Sequence, residues 1–173
     1  MADTYHWYKQ GYAVPYDAFG HAVLRKHLDV PAIIASGVAG YSPLAISGVR
    51  TALPTTGFGV GDILNLFRVP AGFLVLFGGV RVTTAGTSGT DLDIGCVTTA
   101  QVATTGEAGY WLDAAAVDVV GYFPFDGATG IDWSPGETEY NLFITTGSID
   151  VTFNSVADLA LIADIFVVGC KVF

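Results

Sequence analysis

The sequence predicts an all-β fold, an antiparallel β-sandwich or jelly roll with an extended N-terminal arm. Clusters of β-branched and aromatic residues alternate with Gly, Pro, Thr and Asp punctuation, the pattern of short strands joined by turns. No stretch carries the 3.6-residue period of a long helix. At 173 residues with 51% hydrophobic side chains, the chain is the size of one domain and can bury a core without staples.

The first strand of the sandwich domain is expected at 63–69 (ILNLFRV), which follows the turn Gly59-Val60-Gly61-Asp62 and stops at Pro70-Ala71-Gly72, where Pro removes a ladder donor. The next is 73–84 (FLVLFGGVRVTT), with a bulge or bend expected at Gly78-Gly79. The loop 85–90 (AGTSGT) then reverses the chain into 92–97, so these strands read as a β-meander. Asp113 is expected to cap a helical turn over 113–116. Further strands are expected at 117–123, 139–145, 149–154 and 163–172. In 149–154, Ile149, Val151 and Phe153 alternate with Asp150, Thr152 and Asn154, the signature of a sheet with one wet face.

The division of the chain follows from texture. Residues 61–173 form the sandwich domain, and 1–60 read as an arm and lead-in studded with aromatics and holding all three histidines, His6, His21 and His27. Within it, 28–35 (LDVPAIIA) looks like a strand or turn broken by Pro31.

Charged residues make up 13% of the chain, about half the roughly 25% of an average soluble protein. Another protein is expected to cover surface that charge normally keeps wet. Seven Lys and Arg against sixteen Asp and Glu leave a net charge of −9, which argues against a nucleic-acid partner bound through its phosphates. The halves differ: residues 1–81 sum to +2, and residues 82–173, with Lys171 as their one base, sum to −11. Such asymmetry implies two faces with different neighbours. The start, MADTYHWYKQ, lacks the charged and apolar regions of an export signal. No apolar stretch reaches the roughly 20 residues that span a bilayer. Cys96 and Cys170 lie in apolar runs and read as buried thiols in a reducing compartment.

No constellation carries chemistry well. All histidines precede residue 28, far in sequence from any nucleophile elbow, and Gly86-Thr87-Ser88-Gly89 is better explained as a turn. Asp91-x-Asp93 opens like a calcium loop, but Gly95 stands at its fifth position and no glutamate at its twelfth. The cysteines and histidines match no zinc spacing. The expectation is a protein that is not an enzyme and holds no cofactor or metal. Tyr5, Trp7, Tyr8 and Tyr12, with Arg25 and Lys26, are the candidate protein-interface residues, because Trp, Tyr and Arg concentrate binding energy.

The run 61–95, GDILNLFRVPAGFLVLFGGVRVTTAGTSGTDLDIG, resembles a recurrent phrase of small virion proteins of tailed bacteriophages, in particular capsid decoration (cement) proteins. The lead-in LDV…AIIA and the closing ADIFVVGCKVF are similar to those proteins as well. The aromatic first twenty residues and Phe123-Pro124-Phe125 do not match the pattern. The resemblance implies a non-enzymatic protein made in the host cytoplasm and carried on the virion's capsid surface. Its partners would be the major capsid protein and further copies of itself, a trimer being favoured because shells offer threefold sites. Two other readings stay open: a tail, fibre or baseplate component that contacts the host, and a carbohydrate-binding module stacking sugars on Trp111 or Trp133.

Overall fold

A computed structural model describes residues 4–6, 14–36, 57–96, 111–125, 142–143, 146–154 and 158–172. Among them are ten strands and one short helix: β1 (Thr4–His6), β2 (His21–Asp29), α1 (Val30–Ser36), β3 (Ile63–Val69), β4 (Phe73–Thr84), β5 (Asp91–Gly95), β6 (Leu112–Ala116), β7 (Gly121–Pro124), β8 (Leu142–Phe143), β9 (Gly147–Asn154) and β10 (Ile162–Lys171). They form two five-stranded sheets. The first runs β1-β3-β9-β5-β6; the second runs β2-β10-β4-β7, with β8 also on β4. All pairings are antiparallel except β1 on β3. This is the expected all-β sandwich.

Between the sheets lies a core of alternating inward residues. Leu64, Val151, Ile94 and Phe153 come from the first sheet, and Leu24, Ile165, Val167, Val75 and Val80 from the second. Aromatic rings fill its ends: Phe58 stacks on Phe153 at 4.2 Å, and Trp111 lies 6.2 Å from both Phe125 and Phe143. Full burial of each such ring stabilises the fold by roughly 1.5–3 kcal/mol.

The expected strands at 63–69 and 73–84 are present, but they are not a meander. β3 belongs to the first sheet, β4 to the second and β5 to the first again. Pro70-Ala71-Gly72 and the loop 85–90 therefore carry the chain from sheet to sheet. Gly72 takes φ 82° at the first corner, a conformation open to glycine at little cost.

Several local expectations are corrected. Residues 113–116 form no helical turn: Leu112–Ala116 is strand β6, and Asp113 is exposed on it. Residues 117–120 are a turn, so the strand expected at 117–123 is reduced to Gly121–Pro124. The bulges of β4 fall at Leu76 and Thr83, on either side of Gly78-Gly79. Residues 28–35 do not form a broken strand. Asp29 ends β2, and its Oδ1 accepts the Ala32 N–H at 2.8 Å, capping α1 with Pro31 in the first turn. The polar face of β9 is not wet: Asp150 is fully buried, and Asn65 Nδ2 donates to its Oδ1 at 2.6 Å. Alternation reported which residues share a face, and that second face is covered too.

The segment expected as an arm is in part sandwich. β2 pairs with β10 over nine residues, from Asp29↔Ile162 to His21↔Cys170.

Candidate functional site

The surface of interest begins at β2. Its sequence alternates, sending Ala22, Leu24 and Leu28 into the core and His21, Val23, Arg25 and His27 out to solvent. β10 alternates in step: Ala163, Ile165 and Val167 face in, and Asp164, Phe166 and Val168 face out. In β4 the extra residue Leu76 lies between the pairs Val168↔Phe77 and Gly169↔Val75. That bulge reverses the alternation, turning Phe77 and Arg81 outward while Val80 and Val82 face the core.

Paired residues of an antiparallel ladder share a face, so the registers assemble rows across the second sheet. One row is His27, Asp164, Arg81 and Tyr122; the next is Arg25, Phe166, Gly79 and Pro124; a third is Val23, Val168 and Phe77. His27 Nδ1 lies 2.7 Å from Asp164 Oδ1. The Tyr122 and Phe166 rings stack at 6.2 Å and 9°. They meet because Gly79 leaves room: a Cβ there would sit 2.8 Å from the Tyr122 ring. Arg25, His27, Arg81, Tyr122, Asp164 and Phe166 line an open groove of about 530 Å³. The result is a solvent-facing strip in which His27, Asp164 and Arg81 form one end, Arg25 and the Tyr122–Phe166 stack the middle, and Val23, Val168 and Phe77 the far end.

At the start of β2, Asp17 accepts the Phe19 and His21 N–H groups, each at 2.8 Å. The bond from the His21 backbone holds its carboxyl below the usual range.

Of the expected interface residues, Arg25 is exposed in the groove. Lys26 occupies an inward position of β2 and is half-buried. Tyr5 pairs by backbone register with Leu64. Trp7, Tyr8 and Tyr12 lie outside the described residues. Sequence reasoning missed His27, Arg81, Tyr122, Asp164 and Phe166. The period-two run HAVLRKHL was a legible strand signal, but the register that joins these five residues was not.

Other expected chemistry finds different uses. Asp93 Oδ1 accepts the Ala114 N–H at 2.8 Å. No group of three or more His, Cys, Asp or Glu that could hold a metal ion occurs among the described residues. Trp111 is almost fully buried and offers no platform for a sugar, while Trp133 lies outside the described residues. Cys96 is buried as expected, but Cys170 is half-buried, on the outer face of the second sheet. No helix among the described residues is long and apolar enough to cross a membrane.

No protein-family model and no curated protein matches the chain. Among solved structures, the chain is similar to one in the capsid of Ralstonia phage GP4, with a TM-score of 0.51 and 11% identity over 97% of this chain and 96% of that one. A chain of the cyanophage Pam1 capsid asymmetric unit gives a TM-score of 0.49 and 13% identity, over 92% of each chain. At these identities the likeness is one of fold.

Proposed function

We propose that the protein is a structural component of a tailed-phage virion: a decoration (cement) protein that binds the outside of the capsid and stabilises contacts between capsomers. The observation that carries this reading is the fold shared with a GP4 capsid chain across nearly the full length of both chains. Adhesion explains the composition. With 13% charged residues and a bare strip holding Phe77, Tyr122 and Val23, the surface suits burial against other subunits. At about 25 cal/mol per Å2, roughly 1,000 Å2 of buried apolar area supplies tens of kcal/mol before association entropy is subtracted.

In this reading the protein is not an enzyme, its partners are the major capsid protein and further copies of itself, and a trimer suits the threefold sites of a shell. Tyr5, Trp7, Tyr8 and Tyr12 act as anchors of the N-terminal segment. Imaging the particle at a resolution that places each chain tests the reading. Copies on the outer shell surface, in fixed ratio to the capsomers, are expected. Copies confined to the tail, or absent from the particle, would overturn it.

A further inference from the structure

The groove on the second sheet runs across the strands rather than along them. Its lining comes from β2 (Arg25, His27), β10 (Asp164, Phe166), β4 (Arg81) and β7 (Tyr122). Four strands at the usual spacing make a track about 14 Å long. The main chain beneath it is engaged in the β2–β10–β4–β7 ladders, so recognition falls to side chains. The Tyr122 ring lies over Gly79, nearly parallel to Phe166, and is still 54% exposed. Around this flat apolar surface stand polar groups of both senses. Arg25 and Arg81 are exposed and form no ion pair among the described residues; each offers donors only. The contact of His27 with Asp164 uses Nδ1 and Oδ1. It leaves the carboxylate a second oxygen as acceptor and the imidazole its Nε2.

We propose that this groove binds a neutral oligosaccharide, stacked on Tyr122 and hydrogen-bonded by Arg25, Arg81, Asp164 and His27. The charges do not select an ion. Asp164 stands opposite Arg81 in the ladder and repels a phosphate, sulfate or carboxylate brought to that guanidinium. A sugar fits the mixture. Each hydroxyl donates and accepts at once, so guanidinium, carboxylate and imidazole can all bond to one ring. The planar forks of Arg and Asp take two neighbouring hydroxyls side by side. The C–H face of a pyranose is apolar with slightly positive hydrogens, which suits the negative face of an aromatic ring. A peptide strand would instead draw main-chain bonds from a sheet edge, and the floor of the groove offers none. Val23, Val168 and Phe77, at the far end of the strip, carry none of these polar functions and remain apolar surface for a subunit. The inference adds a ligand to the shell reading and does not rest on it.

The test applies the purified full chain to a printed array of neutral and acidic oligosaccharides. Titration calorimetry then measures affinity for the neutral one retained best, and circular dichroism reads the fold of each variant. Wild type is expected to retain neutral oligosaccharides, and equally well at about 50 and about 500 mM NaCl, because screening weakens ionic attraction and not stacking. Tyr122→Ala and Asp164→Ala are each expected to lose at least about tenfold in affinity. Tyr122→Phe keeps the ring and is expected to stay within about threefold of wild type, as is Phe77→Ala, on the same sheet but outside the groove. Should Tyr122→Ala fail to fold, the exposed Asp164 decides the matter. An array that retains nothing would overturn the proposal. So would retention of acidic sugars alone that vanishes at high salt, or folded Tyr122→Ala and Asp164→Ala proteins that bind as wild type does. Shell binding is measured separately: a protein that decorates shells and binds no sugar leaves the shell reading standing, and one that binds sugar but no shell leaves this site standing.

Discussion

The carboxylate of Asp158 reaches the loop that follows β4, with Oδ1 3.2 Å from the Thr87 N–H. The same oxygen accepts the N–H groups of Ala160 at 2.9 Å and Leu161 at 3.2 Å, while the Asp158 backbone exchanges two hydrogen bonds with Phe58. One buried side chain thus ties the corner between the sheets to the start of β10. Asp158→Ala leaves these donors without their acceptor and is expected to lower unfolding free energy by about 2–4 kcal/mol. Asp158→Asn keeps Oδ1 and is expected to cost less than half as much. Urea denaturation of the two variants decides it; equal losses would show that the bonds to Oδ1 are not what matters.

Close approach makes a second prediction. A Cβ at Gly169 would lie 2.6 Å from the Leu74 carbonyl oxygen and overlap the Phe73 ring. Both are fixed, one by the β4–β10 ladder and the other by full burial. Gly169→Ala is expected to destabilise by about 2–3 kcal/mol. Gly121→Ala meets nothing closer than 3.7 Å and is expected to stay within about 0.5 kcal/mol of wild type. Matching losses at the two positions would refute the steric account.

What the sequence disclosed, and what it withheld, follows from the range of each signal. β3 and β4 were readable to the residue because Asp62, Pro70, Gly72 and the Thr-Gly loop punctuate them locally. Which strands lie side by side depends on partners far along the chain. β4 pairs with β10, about eighty residues on, rather than with β3 or β5, and nothing near Pro70 distinguishes a corner from a hairpin. The groove inherits that blindness: Arg25 stood out by type, but its neighbours Phe166 and Arg81 arrive by register alone. Polarity misled in the other direction at β9, where Asp150 is buried against Asn65 and an alternating pattern resembled exposure. The helix at 30–36 was missed although Asp29 and Pro31 spell its start, because Val30, Ile33 and Ile34 read equally well as strand.

Asp17 makes stability depend on acid. Its carboxyl is held below the usual range by the His21 and Phe19 N–H groups, so the charged form is favoured in the fold. That contribution is fully present above the ordinary carboxyl range near about pH 4 and is lost as pH falls through the lower folded value. In Asp17→Asn the amide oxygen still accepts the N–H bonds but does not titrate. The variant is expected to be less stable than wild type at neutral pH and to approach it in acid. Urea midpoints that fall in parallel for both proteins would contradict this.

The bulge at Asp93 and Ala114 gives the last prediction. Between the pairs Leu92↔Ala115 and Ile94↔Leu112, β6 has two residues opposite Asp93 alone. Ala114 absorbs the extra length with φ 48°, and Asp93 Oδ1 captures its N–H at 2.8 Å. The left-handed conformation costs a side-chain-bearing residue about 1–2 kcal/mol, and a β-branched one more. Ala114→Gly removes that cost at the price of a more flexible unfolded chain, worth roughly 0.4–1 kcal/mol, so it is expected to leave stability unchanged or raised. Ala114→Val, at an exposed site with no packing to disturb, is expected to lower stability by more than about 1 kcal/mol. Thermal unfolding of the pair separates backbone strain from packing. If Gly proved the more damaging substitution, the strain would reside elsewhere than in the Ala114 backbone.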